Sequence, residues 1–156
     1  MEQQAQQALS IYASPPVGEM DEIYRVQPQN LETVLPFLME GLDVCERHAP
    51  VEWRQEEVVA SVATGASELW VGFKEDVLTG FLIFYMEQRP TYQQMVVWVI
   101  YGRGIFEEIP WLKQQARQRG VERILFATRR EGFERIADKY GFEYVHSVYQ
   151  MDVNDG

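Results

Sequence analysis

The hydrophobic period of the chain changes at one place, and that change restricts the fold more than any other feature. From Gln94 to Tyr101 the sequence reads QMVVWVIY, apolar on both faces from Met95 through Ile100, as a strand covered on both sides must be. Gly102-Arg103-Gly104 interrupts it. Ile105, Ile109, Leu112 and Ala116 then recur at helical spacing as far as Gly120, a residue suited to a helix C-cap. Val121 to Thr128 (VERILFAT) returns to a strand. A strand, a helix and a second strand in this order imply a parallel pair, because the connecting helix must lie back across the sheet.

The segments before the crossover are of a different kind. Glu22 to Gln27 (EIYRVQ) alternates apolar and polar, and Pro28 ends it. Asn30 is placed to cap a helix in which Leu31, Val34, Leu35, Leu38, Leu42 and Cys45 form one stripe. Pro36 lies inside that stripe, so a kink or a late start is expected there. A second helix, about 52–63, carries Trp53, Val58, Val59 and Val62. Glu68 to Phe73 and Val77 to Glu87 flank Lys74-Glu75-Asp76, a hairpin turn, and Arg89-Pro90-Thr91 turns the chain into the strand at Gln94. After the crossover, Phe133, Ile136, Ala137 and Tyr140 trace a helix stopped by Gly141, and Phe142 to Val153 reads as a final strand. The order predicts an α/β fold: a mixed sheet with a central antiparallel meander, one parallel strand–helix–strand crossover and helices on both faces.

Composition narrows the partners. The 156 residues suit one domain, and an apolar fraction of 46% supplies a core. The formal net charge of −10 disfavours phosphate backbones and anionic lipid, so nucleic acid and membrane are not expected partners. One cysteine, Cys45, excludes an intrachain disulfide and a thiolate metal cluster, and no spacing of His48 and His146 suggests a metal. No basic stretch followed by an apolar run marks a signal peptide, so a cytoplasmic location is expected. Residues 1–21, Gln- and Ala-rich and then Pro-Pro-Val-Gly, are either a mobile tail or an arm that docks Leu9, Ile11 and Tyr12 on a protein partner. Residues 22–156 form the domain.

With Gly-x-Gly closing the third meander strand, the segment GRGIFEEIPWLKQQARQRGVERILFATRREGFERIADKYGFEYVHSVYQMDV resembles the GNAT superfamily of acyl-CoA N-acyltransferases. The resemblance covers about residues 22–153. It implies acetyl-CoA or CoA as cofactor and Ile100, Tyr101, Gly102, Arg103, Gly104 and Ile105 as its binding residues. In that family the turn and the following helix N-terminus cradle the pyrophosphate. No metal is implied. The basic group Arg129, Arg130, Arg135 and Lys139 is either a 3′-phosphate contact or a solvated helix face.

The chain also departs from the family pattern. Val99 stands where the loop usually begins with Gln or Arg, and Glu107, Glu108 and Pro110 follow the glycines. A carboxylate facing a pyrophosphate would cost about 1–3 kcal/mol. Pro110 favours a helix start near 110, away from the turn. Ala137 occupies the position of the usual acid, Tyr140 continues the apolar stripe, and the strand Gln94 to Tyr101 contains no carboxylate. Glu68 and Glu87 end neighbouring strands, as a base would, but no catalytic residue stands out. These departures, with the entry Arg129 to Arg135 into the last helix, resemble divergent GNAT-like proteins of bacteriophages. Two functions are therefore expected: a catalytically degenerate binding or assembly component, possibly virion-associated, or an acetyl-CoA-dependent N-acetyltransferase acting on a small-molecule or protein amine.

Overall fold

The computed structural model describes residues 13–14, 22–48, 53–102, 108–126, 133–145, 149, 151 and 153. Among these, six strands form one sheet in the order β1 (Ala13–Ser14), β2 (Glu22–Val26), β3 (Glu68–Lys74), β4 (Val77–Gln88), β5 (Gln93–Gly102) and β6 (Arg123–Phe126). Every neighbouring pair is antiparallel except β5 and β6, which run parallel from Gln94↔Arg123 to Val97↔Phe126. The crossover is thus realised as expected. Ala13 and Ser14, within the N-terminal arm, pair with Tyr24 and Ile23 of β2. Leu9, Ile11 and Tyr12 lie outside the described residues.

Alternation along each strand divides the apolar residues between two cores. On one face Tyr24, Leu69, Val71, Phe73, Phe81, Ile83 and Val99 pack under α1 (Leu31–His48) and α2 (Gln55–Thr64). On the other, Ile23, Trp70, Leu82, Phe84, Met95 and Val97 pack under α3 (Ile109–Gln118), with Tyr140 of α4 (Phe133–Tyr140) at the margin. Met95 and Val97 belong to the second core and Val99 to the first, which is why β5 reads as apolar throughout.

Local chemistry explains most boundaries. Glu75 and Asp76 both adopt positive φ, 51° and 66°, the conformation of the primed turns that match strand twist in a tight hairpin. Gly120 (φ 68°) and Gly141 (φ 78°) end α3 and α4 in the left-handed conformation. The Phe142 N–H donates to Ala137 O at 2.8 Å, closing the last turn of α4.

Three expectations need correction. Asn30 is not a helix N-cap: Pro28–Asn30 forms a 3-10 turn and α1 begins at Leu31. Helix α1 runs through Pro36 without a late start, since Pro36 is exposed and water can take the carbonyl that its missing N–H leaves over. The final strand expected from Phe142 to Val153 is not formed at 142–145, which have no regular structure and pair with no strand. Alternating apolar residues permit a strand, but a strand exists only where an edge accepts it.

Candidate functional site

Of the cofactor-binding residues expected from the sequence, Ile100, Tyr101 and Gly102 are described. Arg103, Gly104 and Ile105 lie outside the described residues. Ile100 and Tyr101 point their side chains to opposite faces. Ile100 packs on the second core, while Tyr101 joins Phe37 and Phe81 at centroid distances of 5.8 and 5.4 Å. These side chains belong to the cores, so only their backbone is left to serve a ligand. The Cys45 thiol lies 3.4 Å from Ile100 O as a donor, joining α1 to this part of β5.

The sheet distorts where β5 approaches its end. Ile83 pairs with Val99 but Phe84 pairs with Val97, so Trp98 is an extra residue on β5. Such a bulge bends a strand and turns its side chains. Trp98 consequently shares a face with Val99, packing against the first core and meeting Tyr85 edge-on at 5.8 Å. No periodicity could have revealed this, because the run is apolar on both sides of the bulge. Four residues on, Gly102 takes φ 109° opposite Gly80. A Cβ on Gly102 would fall under 3.0 Å from both Thr79 O and the Gly80 Cα, so only glycine fits. Bulge and glycine are about 13 Å apart at strand rise.

Beyond the turn, α3 starts at Ile109 with Pro110 in its first turn and Glu108 at the N-cap. The Glu108 side chain makes no capping hydrogen bond and is 3% exposed. It lines a cavity of about 10 Å³ with Ile23, Trp70, Gly72, Ile100 and Trp111. The indole Nε1 of Trp111 is buried without a hydrogen-bond partner, and a single water would fit here to accept from it. The late helix start matches the expectation drawn from Pro110. The burial of Glu108 was not legible, because glutamate in a first turn normally faces water.

The strand-end carboxylates are held by neighbours. Glu68 receives Arg119 bidentately, with Arg119 Nη2 to Glu68 Oε1 at 2.9 Å, and also faces Arg25 Nε at 3.5 Å and Trp70 Nε1 at 3.3 Å. The Arg119 guanidinium in turn lies 5.0 Å from the Phe84 ring centroid. Glu87 accepts from Gln94 Nε2 at 2.7 Å and lies 3.4 Å from Arg89 Nη1. Tyr85 is the one described tyrosine with a resolved shift: burial first, then the charges of Glu87 and Glu57, push its phenol above the usual value of 10.0. It therefore stays protonated at neutral pH. A groove of about 390 Å³ between α1 and α2 is lined by Leu35, Met39, Glu46, Gln55, Glu56 and Val59.

The remaining candidates are scattered. Ala137 stands where an acid was sought and Tyr140 packs against the second core, as its stripe suggested. Arg135 and Lys139 are exposed on α4, while Arg129, Arg130 and His146 lie outside the described residues. Among the described residues no group of three or more His, Cys, Asp or Glu side chains could hold a metal, and no helix is long and apolar enough to cross a membrane.

No model of a known protein family matches the sequence, and no curated protein matches it. Solved structures do. A ribosomal-protein-alanine N-acetyltransferase from Brucella melitensis biovar Abortus 2308 superposes with a TM-score of 0.64 at 17% identity, over 83% of this chain and 98% of that one. A predicted acetyltransferase with acetyl-CoA from Clostridium acetobutylicum gives 0.62 at 12%, over 86% and 97%. An aminoglycoside acetyltransferase from an uncultured soil metagenomic sample gives 0.59 at 16%, over 85% and 97%. At these identities the likeness is one of fold: the chain has a GNAT-like, acetyltransferase-like architecture.

Proposed function

We propose that this chain is a GNAT-fold protein that has lost efficient acyl transfer and works by binding, as an assembly component of the cytoplasm or, following the resemblance of its last helix entry, of a phage particle. One observation carries the reading. The helix that would present its N-terminus to a pyrophosphate starts at Ile109, with a buried carboxyl group, Glu108, at its N-cap and Pro110 in its first turn. A helix N-terminus attracts anions through its exposed N–H groups and its dipole. Pro110 removes one N–H, and Glu108 already occupies the position an anion would take.

The described residues fit acetyl-CoA along β5 and do not fit it at α3, so no acyl-transfer step follows from this arrangement. Nor is a base or an acid in place. Glu68 and Glu87 are engaged by arginine and glutamine, and Ala137 cannot donate a proton. Protein partners remain the expected ligands, reached through the N-terminal arm.

A second reading, an acetyl-CoA-dependent N-acetyltransferase for a small-molecule or protein amine, is favoured by the Trp98 bulge and by Gly102. That stretch would offer strand backbone to a pantetheine arm. The Tyr85–Trp98 pair with Glu57 and Glu87 nearby would suit an ammonium group.

Calorimetric titration of the purified chain with acetyl-CoA and with CoA separates the two. Absence of binding up to millimolar cofactor supports the binding component. Micromolar affinity that a Gly104→Glu substitution weakens overturns it in favour of the enzyme.

A further inference from the structure

The most exposed apolar side chains of the described residues lie together in the sequence. Val145 is 57% exposed, Tyr149 90%, Met151 88% and Val153 90%, and Tyr144 is 79% exposed beside them. Scattered apolar residues at a surface need no explanation, but a run of five within ten positions marks an interaction segment. Tyr149, Met151 and Val153 are spaced two apart, the strand period.

The same chain contains a place for such a strand. β6 stands at the end of the sheet, and among the described residues no strand pairs with its outer side. An edge of this kind carries backbone groups ready to pair with an added strand. Ile124, Phe126, Tyr140 and Phe142 border it, all half-buried against the second core. Phe142 packs edge-on against Phe126 at 4.9 Å, so the segment departs from the edge itself. It does not then follow the edge: residues 143–145 form no ladder with β6 and are exposed. Charge is complementary as well, with Arg123 exposed at the start of β6 and Glu143 exposed on the segment.

We propose that the segment from Glu143 to Val153 of one copy adds as a strand to the β6 edge of a second copy, and that the second copy returns its own segment. A two-fold exchange of this type satisfies both edges and both apolar runs at once, and it closes at two copies. It does not depend on whether the cleft holds a cofactor.

The test is sedimentation equilibrium of the full chain over a wide concentration range, with amide exchange followed at Ile124 and Leu125. The expected result is a dimer, with slowed exchange at these amides that fades on dilution. A Tyr149→Asp, Met151→Asp double variant, changed only at exposed positions and shown to be folded by circular dichroism, should be monomeric with fast exchange at β6. A chain that stays monomeric at every concentration would overturn the proposal, as would a dimer unaffected by the double variant. Slow exchange independent of concentration would place the segment on its own β6 and equally overturn it.

Discussion

Gly102 and Gly80 face each other across β4 and β5, so close that neither strand leaves room for a Cβ on Gly102. The contact fixes where β5 ends and where the turn after it leaves the sheet. Gly102→Ala should therefore cost about 2–4 kcal/mol, from a positive φ that alanine tolerates poorly and from collision with backbone that cannot yield. Urea unfolding of the variant checks this; a loss below about 0.5 kcal/mol would show that the two strands separate easily.

The ion pair between Glu68 and Arg119 joins β3 to the end of α3 with side chains 15% and 25% exposed. Arg119→Met should destabilise by about 1–3 kcal/mol, because it leaves Glu68 poorly solvated with only Arg25 opposite. Adding Glu68→Leu to it should recover part of the loss, since removing both partners leaves no isolated charge. The double-mutant cycle measures the coupling, and strictly additive losses would contradict it.

Tyr85 sets a pH dependence at the alkaline end. Its folded pKa lies above the unfolded value of 10.0, so the folded state holds the proton more tightly. The stabilisation is complete below pH 10 and is lost as pH rises through and above that value. Stability of the parent should fall more steeply between pH 10 and 11 than that of Tyr85→Phe, measured by urea unfolding at each pH. Equal slopes would mean that the phenol is not held protonated.

Asp76 adopts φ 66° in the β3–β4 turn without being glycine. Asp76→Gly should raise stability by a few tenths to about 1 kcal/mol, the relief of left-handed strain exceeding the added freedom of the unfolded chain. Thermal unfolding of the pair of proteins checks the sign.

Most of the fold was legible because its signals are local. The period of each element, the glycine stops at 120 and 141 and the turn at Glu75-Asp76 all act within a few residues. So does Pro110, from which the late start of α3 could be read. What escaped depends on contacts distant in sequence. The Glu68–Arg119 pair spans 51 positions, and neither residue differs in kind from a solvated charge. The bulge at Trp98 is hidden inside an apolar run that has no polar side to lose. The alternation after Phe142 is genuine, but whether an edge accepts it is not a property of those residues alone. Asn30 illustrates the opposite error: a good cap by residue type, placed where Pro28 had already begun a tighter turn.

The central claim is that Glu108 and Pro110 deny the start of α3 to a cofactor pyrophosphate. Its most direct test is calorimetric titration of CoA into the parent and into a Glu108→Ser, Pro110→Ala variant that restores an open, capped helix N-terminus. The predicted result is no measurable binding by the parent and binding at least tenfold tighter by the variant. Micromolar binding by the parent, unchanged or weakened in the variant, would contradict it.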